Sequence, residues 1–233
     1  AVFSFLAELM PGLEGRDTFK LSKVSGGITN ALYLCECSKV QDPFLLRVFG
    51  EGTEFIDREE EAGLLQTLGS KGLGPKLLAK FSNGRIEQYL SDFSTSSPEQ
   101  MSNEPCVAAI AARLSSLHSV DTTWCGCSLW SQLDMLFDLA STRRLEFPEA
   151  NIPDLDQYKK VLGVVKKGIE TRKEGSNDRG RFAALPYETV LAHNDLLSGN
   201  IMLKVSAGVD APPEVMLIDF EYAARSERAY DIA

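Results

Sequence analysis

The chain has 233 residues, 44% of them hydrophobic and 24% charged, and 33 acidic against 24 basic side chains leave a formal net charge of −9. This supplies a buried core for one large or two small domains and excludes a disordered or fibrous protein. The acidic balance, with no blocks of Lys or Arg, argues against a nucleic-acid or anionic-membrane surface and favours a cationic or neutral small substrate.

Leu21 to Val24, Ala31 to Cys37 and Phe44 to Phe49 are short apolar or alternating runs separated by Gly26-Gly27 and Gln41-Asp42-Pro43, the punctuation of an antiparallel meander. Asp57 stands three residues before Glu60 as a helix cap, and Ala62, Leu64, Leu65 and Leu68 follow at helical spacing until Gly69. Lys76 to Lys80 and Arg85 to Leu90 flank Asn83-Gly84, a hairpin signal that predicts two more strands of the same small sheet. Ser91 to Met101 turns to Ser, Thr, Asp and Pro, so the sequence divides into an N-terminal lobe, residues 1–91, and a mostly helical lobe, residues 92–233. In the second lobe Pro105 opens a helix with the stripe Val107, Ile110, Ala111, Leu114, Leu117, and Trp130 to Ala140 and Leu155 to Ile169 predict further helices. Thr171 to Arg181 lacks periodicity and reads as an exposed loop.

No apolar run approaches the roughly 18 residues that span a bilayer. The first ten residues carry Glu8 and no basic stretch, so a cytoplasmic protein without signal or membrane insertion is expected. Cys35, Cys37, Cys106, Cys125 and Cys127 show no zinc spacing and are expected to be reduced thiols. The absence of an initiator Met, and a last stretch Asp231-Ile232-Ala233 without a stop signal, suggest an internal piece of a longer polypeptide.

One segment carries chemistry. His193-Asn-Asp195-Leu-Leu-Ser-Gly-Asn200 follows the apolar strand Val190-Leu191-Ala192, and a predicted hairpin, Asn200 to Val205 with Val215 to Ile218, delivers Asp219. One carboxylate, Asp195, to accept a hydroxyl proton, and an amide and a carboxylate, Asn200 and Asp219, to hold hard divalent cations are the parts of phosphoryl transfer. The transferring phosphoryl keeps high negative charge, so Mg²⁺ and a basic side chain must neutralise it. His193 fixes the loop rather than reacting. Upstream, Ser25-Gly26-Gly27-Ile28-Thr29-Asn30 lies between two strands, where Gly26, Gly27 and Asn30 would bring backbone amides close to phosphates, although a hairpin turn explains it equally.

Arg47 interrupts the otherwise apolar strand Leu45 to Phe49, and Glu61 falls in the apolar stripe of the following helix with Leu65 and Leu68. A buried carboxylate wants a partner, so Glu61 is expected to pair with Arg47 and aim it at ATP phosphates. Glu87-Gln88-Tyr89-Leu90 ends the last strand of the small sheet, where backbone N–H and C=O groups, those of Gln88 and Tyr89 above all, would read an adenine edge. His118 reads as a core or helix-end histidine, and Trp124 and Trp130 as packing rather than an amine cage.

The chain resembles the choline/ethanolamine kinase family, ethanolamine kinases most of all. The resemblance is carried by Val24-Ser-Gly-Gly-Ile-Thr-Asn30, Leu45-Leu-Arg-Val-Phe-Gly50, Asp57-Arg-Glu-Glu-Glu61, Gly74-Pro-Lys-Leu77, Asn83-Gly-Arg-Ile-Glu-Gln-Tyr89, His193 to Asn200 and Leu217-Ile-Asp-Phe-Glu-Tyr222. It implies an α+β, protein-kinase-like two-lobe fold: a small antiparallel sheet with one helix, then a mostly helical lobe that is C-terminally incomplete. It implies ATP-dependent phosphorylation of the hydroxyl of ethanolamine, on the way to phosphatidylethanolamine, with Asp195 as base, Asn200 and Asp219 on Mg²⁺, and Arg47 with Glu61 on the phosphates. Ala223-Ala-Arg225-Ser-Glu227-Arg departs from the family, whose chains continue past Asp231 into helices that complete the amine pocket. Choline kinase of the same family, or an inactive truncated pseudokinase that only binds, are the alternatives. An aminoglycoside-type phosphotransferase shares H-x-D-x4-N but is disfavoured by Asp-Phe-Glu-Tyr.

Overall fold

Period-two alternation in the first strands builds a sheet with two different faces. Strands β1 (Phe19–Val24), β2 (Asn30–Cys37), β3 (Phe44–Phe49), β4 (Leu77–Phe81) and β5 (Gly84–Gln88) form an antiparallel sheet in the order β1-β2-β3-β5-β4. The computed structural model describes residues 19–24, 30–38, 42–50, 56–121, 125–146, 154–176, 181–204 and 212–232. On one face Cys35, Phe44, Leu46 and Ile86 make a dry core, with Leu21, Tyr33, Val48 and Phe81 packed around it. Burial pushes the Cys35 thiol up to about 12, so it packs as an apolar group. The other parity of β3 and β5 places Arg47 directly opposite Arg85, with Glu87 two residues on.

Helix α1 (Arg58–Ser70) starts where the sequence says it should: the Asp57 carboxylate accepts from the N–H groups of Glu59 and Glu60 at 3.0 Å each. Its buried stripe is Glu61, Ala62, Leu64, Leu65 and Leu68, so the glutamate is indeed an internal residue of the helix. The expected crossing segment holds a two-residue strand, β6 (Ser94–Thr95), and a short helix, α2 (Pro98–Met101), closed by a Ser97–Gln100 capping box. β6 joins the predicted late hairpin, β8 (Ile201–Lys204) with β9 (Glu214–Leu217), in which Ile201 faces Leu217 and Leu203 faces Val215.

The described residues divide into two compact units, one up to Arg113 with Leu197–Asp219, the other Leu114–Leu196 with Phe220 onward. Helix α3 (Glu104–His118) runs from one into the other, burying Cys106, Ile110, Leu114 and Leu117. The second unit holds α4 (Leu129–Glu146), α5 (Leu155–Ser176), the single turn α6 (Arg181–Ala184) and a two-stranded sheet of β7 (Thr189–Ala192) with β10 (Ala224–Glu227). Two expectations are corrected here. Helix α5 continues through Thr171–Ser176, where the sequence predicts a loop: Arg172, Lys173 and Glu174 are good helix formers and carry it on. Helix α4 runs past Ala140 to Glu146, its Ser141 and Thr142 hydroxyls donating to the Phe137 and Asp138 carbonyls. No helix among the described residues is long and apolar enough to cross a membrane.

Gly84 has a steric role in the β4–β5 hairpin. A Cβ there would sit 2.2 Å from the Arg47 backbone oxygen and 2.4 Å from the Phe81 ring. Gly84→Ala must therefore push β3 from β5, and a loss of roughly 1–3 kcal/mol is expected. Thermal unfolding of the variant checks this, with a Tm several degrees below the parent expected.

Candidate active site

The first unit contains a chain of buried charges built around Arg47. Its Nε donates to Glu87 Oε1 at 2.8 Å, and its Nη1 donates to Asp219 Oδ1 at 3.2 Å. Glu87 Oε1 also accepts from Arg85 Nε at 2.6 Å. The residues are nearly dry, Arg47, Arg85, Glu61 and Glu87 being between 3% and 9% exposed. Burial alone would lower the Arg47 pKa, but Glu87, then Asp219 and Glu61, outweigh it, so the guanidinium is held more firmly charged than usual. Burial likewise works to raise the Glu87 pKa, and the guanidiniums of Arg47 and Arg85 reverse it, keeping the carboxylate ionised.

This corrects the expected pairing of Arg47 with Glu61. The Glu61 carboxylate meets Arg58 Nη1 at 2.7 Å and Arg85 Nη1 at 2.7 Å instead. The reason is register: Arg85 stands opposite Arg47 and takes the helix carboxylate, while Glu87, on the same face of the same strand, takes Arg47. Arg85 and Glu87 were absent from the sequence-derived side-chain set, although their i, i+2 spacing around Ile86 puts both on one face of a strand. Arg58 is further held over the Phe49 ring, 4.1 Å from its centroid.

Asp219 stands two residues beyond the end of β9, with a positive φ of 66°. Asn200 closes a short 3₁₀ turn, Ser198–Asn200, and its carbonyl accepts from the Ile218 N–H at 3.0 Å. The predicted pair of metal-side residues thus lies on two adjoining strand ends, and Arg47 reaches the carboxylate of one of them. Of the remaining expected residues in this unit, Asn30 is buried at the start of β2 opposite Phe49. The Gln88 N–H is already given to the Lys76 carbonyl at 2.9 Å, and its side-chain oxygen accepts from the Lys76 N–H at 3.3 Å. Tyr89 follows, half-buried. Gly26 and Gly27 lie outside the described residues.

Asp195 belongs to the second unit, half-buried in the loop after β7. What precedes it is tightly held. Asp231, with a fully buried side chain, accepts from the backbone N–H of His193 and of Asn194, each at 2.8 Å, and contacts His118 Nε2 at 2.9 Å. Asn194 takes a φ of 62°, and its side-chain amide donates to the Tyr222 carbonyl at 2.9 Å. The His193 ring packs on Phe220 with centroids 4.9 Å apart. His118 is therefore a helix-end residue, as expected, and one that helps to hold this loop. Burial works to raise the Asp231 pKa, while the His118 side chain and the two N–H groups lower it further than burial raises it, so the carboxyl stays below the ordinary range. The sequence offers no local signal for Asp231, since its partners lie 37 and 38 residues back. Of the two tryptophans, Trp124 lies outside the described residues. Trp130 has Lys166 over its ring at 5.6 Å.

Comparison with known proteins matches this arrangement to a family. The model of the choline/ethanolamine kinase family matches residues 21–233. A probable ethanolamine kinase of Arabidopsis thaliana is 33% identical over 219 residues, 92% of this chain and 54% of that protein. A solved structure of an ethanolamine kinase of Plasmodium vivax superposes with a TM-score of 0.74 at 27% identity, covering 98% of this chain and 62% of that one. An aminoglycoside phosphotransferase, bound to a nucleotide analogue and hygromycin B, is 14% identical with a TM-score of 0.55 over 99% of this chain and 74% of its own, which speaks to the fold alone. The fold is thus the α+β fold of protein-kinase-like phosphotransferases. The chain spans about half the length of the curated relatives it matches. With a family model covering nearly the whole sequence, the chain belongs to the choline/ethanolamine kinase family.

Proposed function

We propose that the protein transfers the γ-phosphoryl group of ATP to the hydroxyl of ethanolamine, giving phosphoethanolamine and ADP, as part of phosphatidylethanolamine synthesis. The observation that carries the reading is the reach of Arg47, from the middle of a buried strand, to Asp219 at the end of a distant one. A desolvated guanidinium beside a hard carboxylate is a pairing suited to a metal-bound polyphosphate. The two-lobe division near Asp92 and a cytoplasmic location belong to the same reading. The location rests on the spacing of the five cysteines, which suits reduced thiols.

Mg²⁺ fits the donors present. Asn200 and Asp219 would hold it through an amide and a carboxylate oxygen, donors suited to a hard divalent cation. When bound, the ion supplies charge neutralisation at the phosphates. The chain's own residues do the rest. Arg47 binds phosphate oxygens, and Glu61 supports it through Arg85 and Glu87. Backbone groups around Gly26, Gly27 and Asn30 approach the phosphates, and Gln88 and Tyr89 border the adenine. Asp195 orients the ethanolamine hydroxyl and takes its proton while the new O–P bond forms and the bond from γ-phosphorus to the β–γ bridging oxygen breaks.

Choline is the competing acceptor within the family. A primary ammonium calls for three hydrogen-bond acceptors, a quaternary one for aromatic faces. Steady-state phosphorylation of both amines decides, with ethanolamine expected to be preferred; a tenfold preference for choline would reverse the assignment. Asp195→Asn is expected to lower kcat by about 10²–10⁴-fold while leaving ATP affinity in place. Near-normal turnover would remove it as the base. A protein that binds Mg·ATP but phosphorylates neither amine would be a binding module instead.

The loop that presents Asp195 has its own pH signature. A carboxyl with a depressed folded pKa stabilises above its unfolded value, and the stabilisation is lost as pH falls through the folded value. Asp231→Asn is expected to cost about 1–3 kcal/mol at neutral pH. The Tm difference between variant and parent should then narrow as pH falls below about 4. A difference independent of pH would show that the charge of Asp231 is not what holds the loop.

A further inference from the structure

The phosphate-binding arginine has two candidate partners for its orientation, one on a helix and one on its own sheet. Glu87 wins on geometry. Its Oε1 takes the Arg47 Nε at 2.8 Å, which leaves the Nη groups to other partners, Nη1 donating to Asp219 Oδ1 at 3.2 Å. Because β3 and β5 are neighbouring strands in register from Phe44–Gln88 to Val48–Gly84, the ladder itself fixes the distance between Arg47 and Glu87. Helix α1 reaches this pair only through an intermediary, Arg85, which donates Nε to Glu87 at 2.6 Å and faces Glu61 with Nη1 at 2.7 Å. The Arg85 Nη1 and Glu61 Oε1 contact is close without being an aligned hydrogen bond, whereas both bonds to Glu87 are well formed.

Charge explains why Arg85 is needed. Glu87 alone beside Arg47, diagonal to it in the register, would be a single buried pair on a strand face, and its carboxylate would be free to swing. A second guanidinium on the far side pins the same oxygen, so that Glu87 cannot follow Arg47 out of the sheet. The alternating series Glu61, Arg85, Glu87, Arg47, Asp219 then runs from α1 to the end of β9.

We propose that Glu87 is the positioning residue that aims Arg47 at the triphosphate, with Arg85 clamping Glu87 from behind and Glu61 acting only through Arg85. This rests on the reading of Arg47 as a phosphate-binding group. It makes nucleotide affinity a property of the β3–β5 strand pair first and of the helix second.

The test is calorimetric binding of Mg·ATP to the parent protein, Arg47→Met, Glu87→Gln, the double variant and Glu61→Gln. Arg47→Met and Glu87→Gln are each expected to weaken binding by roughly ten- to a hundredfold. The double variant should be within about threefold of Arg47→Met alone, because Glu87 has nothing left to aim. A residue that served only the fold would add its loss to that of Arg47. Glu61→Gln should lose less than Glu87→Gln. In case Glu87→Gln does not fold, Glu87→Asp keeps the charge but retracts it by one methylene, and is expected to weaken ATP binding while holding the parent Tm to within a few degrees. Parent-like affinity in either Glu87 variant, additive losses in the double variant, or a larger loss in Glu61→Gln would each overturn the inference while leaving the kinase reading intact. Normal ATP binding by Arg47→Met would instead overturn both.

Discussion

Two arginines stand side by side on neighbouring strands, buried, and the first unit is arranged around the need to neutralise them. Like charges directly opposite each other destabilise a sheet, and a buried guanidinium without a counter-charge destabilises it far more. Glu87 answers both at once by sitting between Arg47 and Arg85. Glu61 and Asp219 then complete the two ends, which ties helix α1 and the end of β9 to the same sheet face. The opposite face, with Phe44, Leu46 and Ile86, is ordinary apolar core. A rigid hydrocarbon layer thus backs a polar layer whose members cannot move independently, which is the condition for presenting a charge at a fixed place.

The second unit solves a different problem, that of holding an irregular loop without a regular hydrogen-bond ladder. Backbone N–H groups leaving β7 have no strand partner, and the Asp231 carboxylate supplies one acceptor for each of two. His118 at the end of α3 keeps that carboxylate in place, and the left-handed Asn194 turns the chain toward Asp195. Strain at Asn194 is offset by its own side-chain bond to Tyr222.

Local patterns in the sequence carried much of this. The three-strand meander, the hairpin of the fourth and fifth strands, the Asp57 cap and the place of Glu61 in an apolar stripe follow from short-range periodicity and turn chemistry, and the structure has each of them, although the hairpin turns on Ser82-Asn83 with Gly84 already in the ladder opposite Phe81. What escaped were choices among several chemically equivalent partners. Glu61 and Glu87 are both carboxylates within reach of two arginines, and only the strand register decides which pairs with which. Helix ends escaped too: in Thr171–Ser176 the modest propensities of Thr, Gly and Ser concealed a helix that its charged residues sustain. The β7–β10 pairing and the role of Asp231 join distant segments, and no window of sequence contains both halves.

The dependence of the loop on Asp231 also sets an order of events. During synthesis, β7 and the loop bearing Asp195 leave the ribosome well before their anchor, which is encoded 38 residues after His193. Until that stretch emerges, two N–H groups have only water to bond, and the left-handed turn at Asn194 has no reason to persist. The nascent polypeptide can therefore assemble its first sheet while still tethered, but the loop bearing Asp195 takes up its final orientation late, once Asp231 has emerged to hold it.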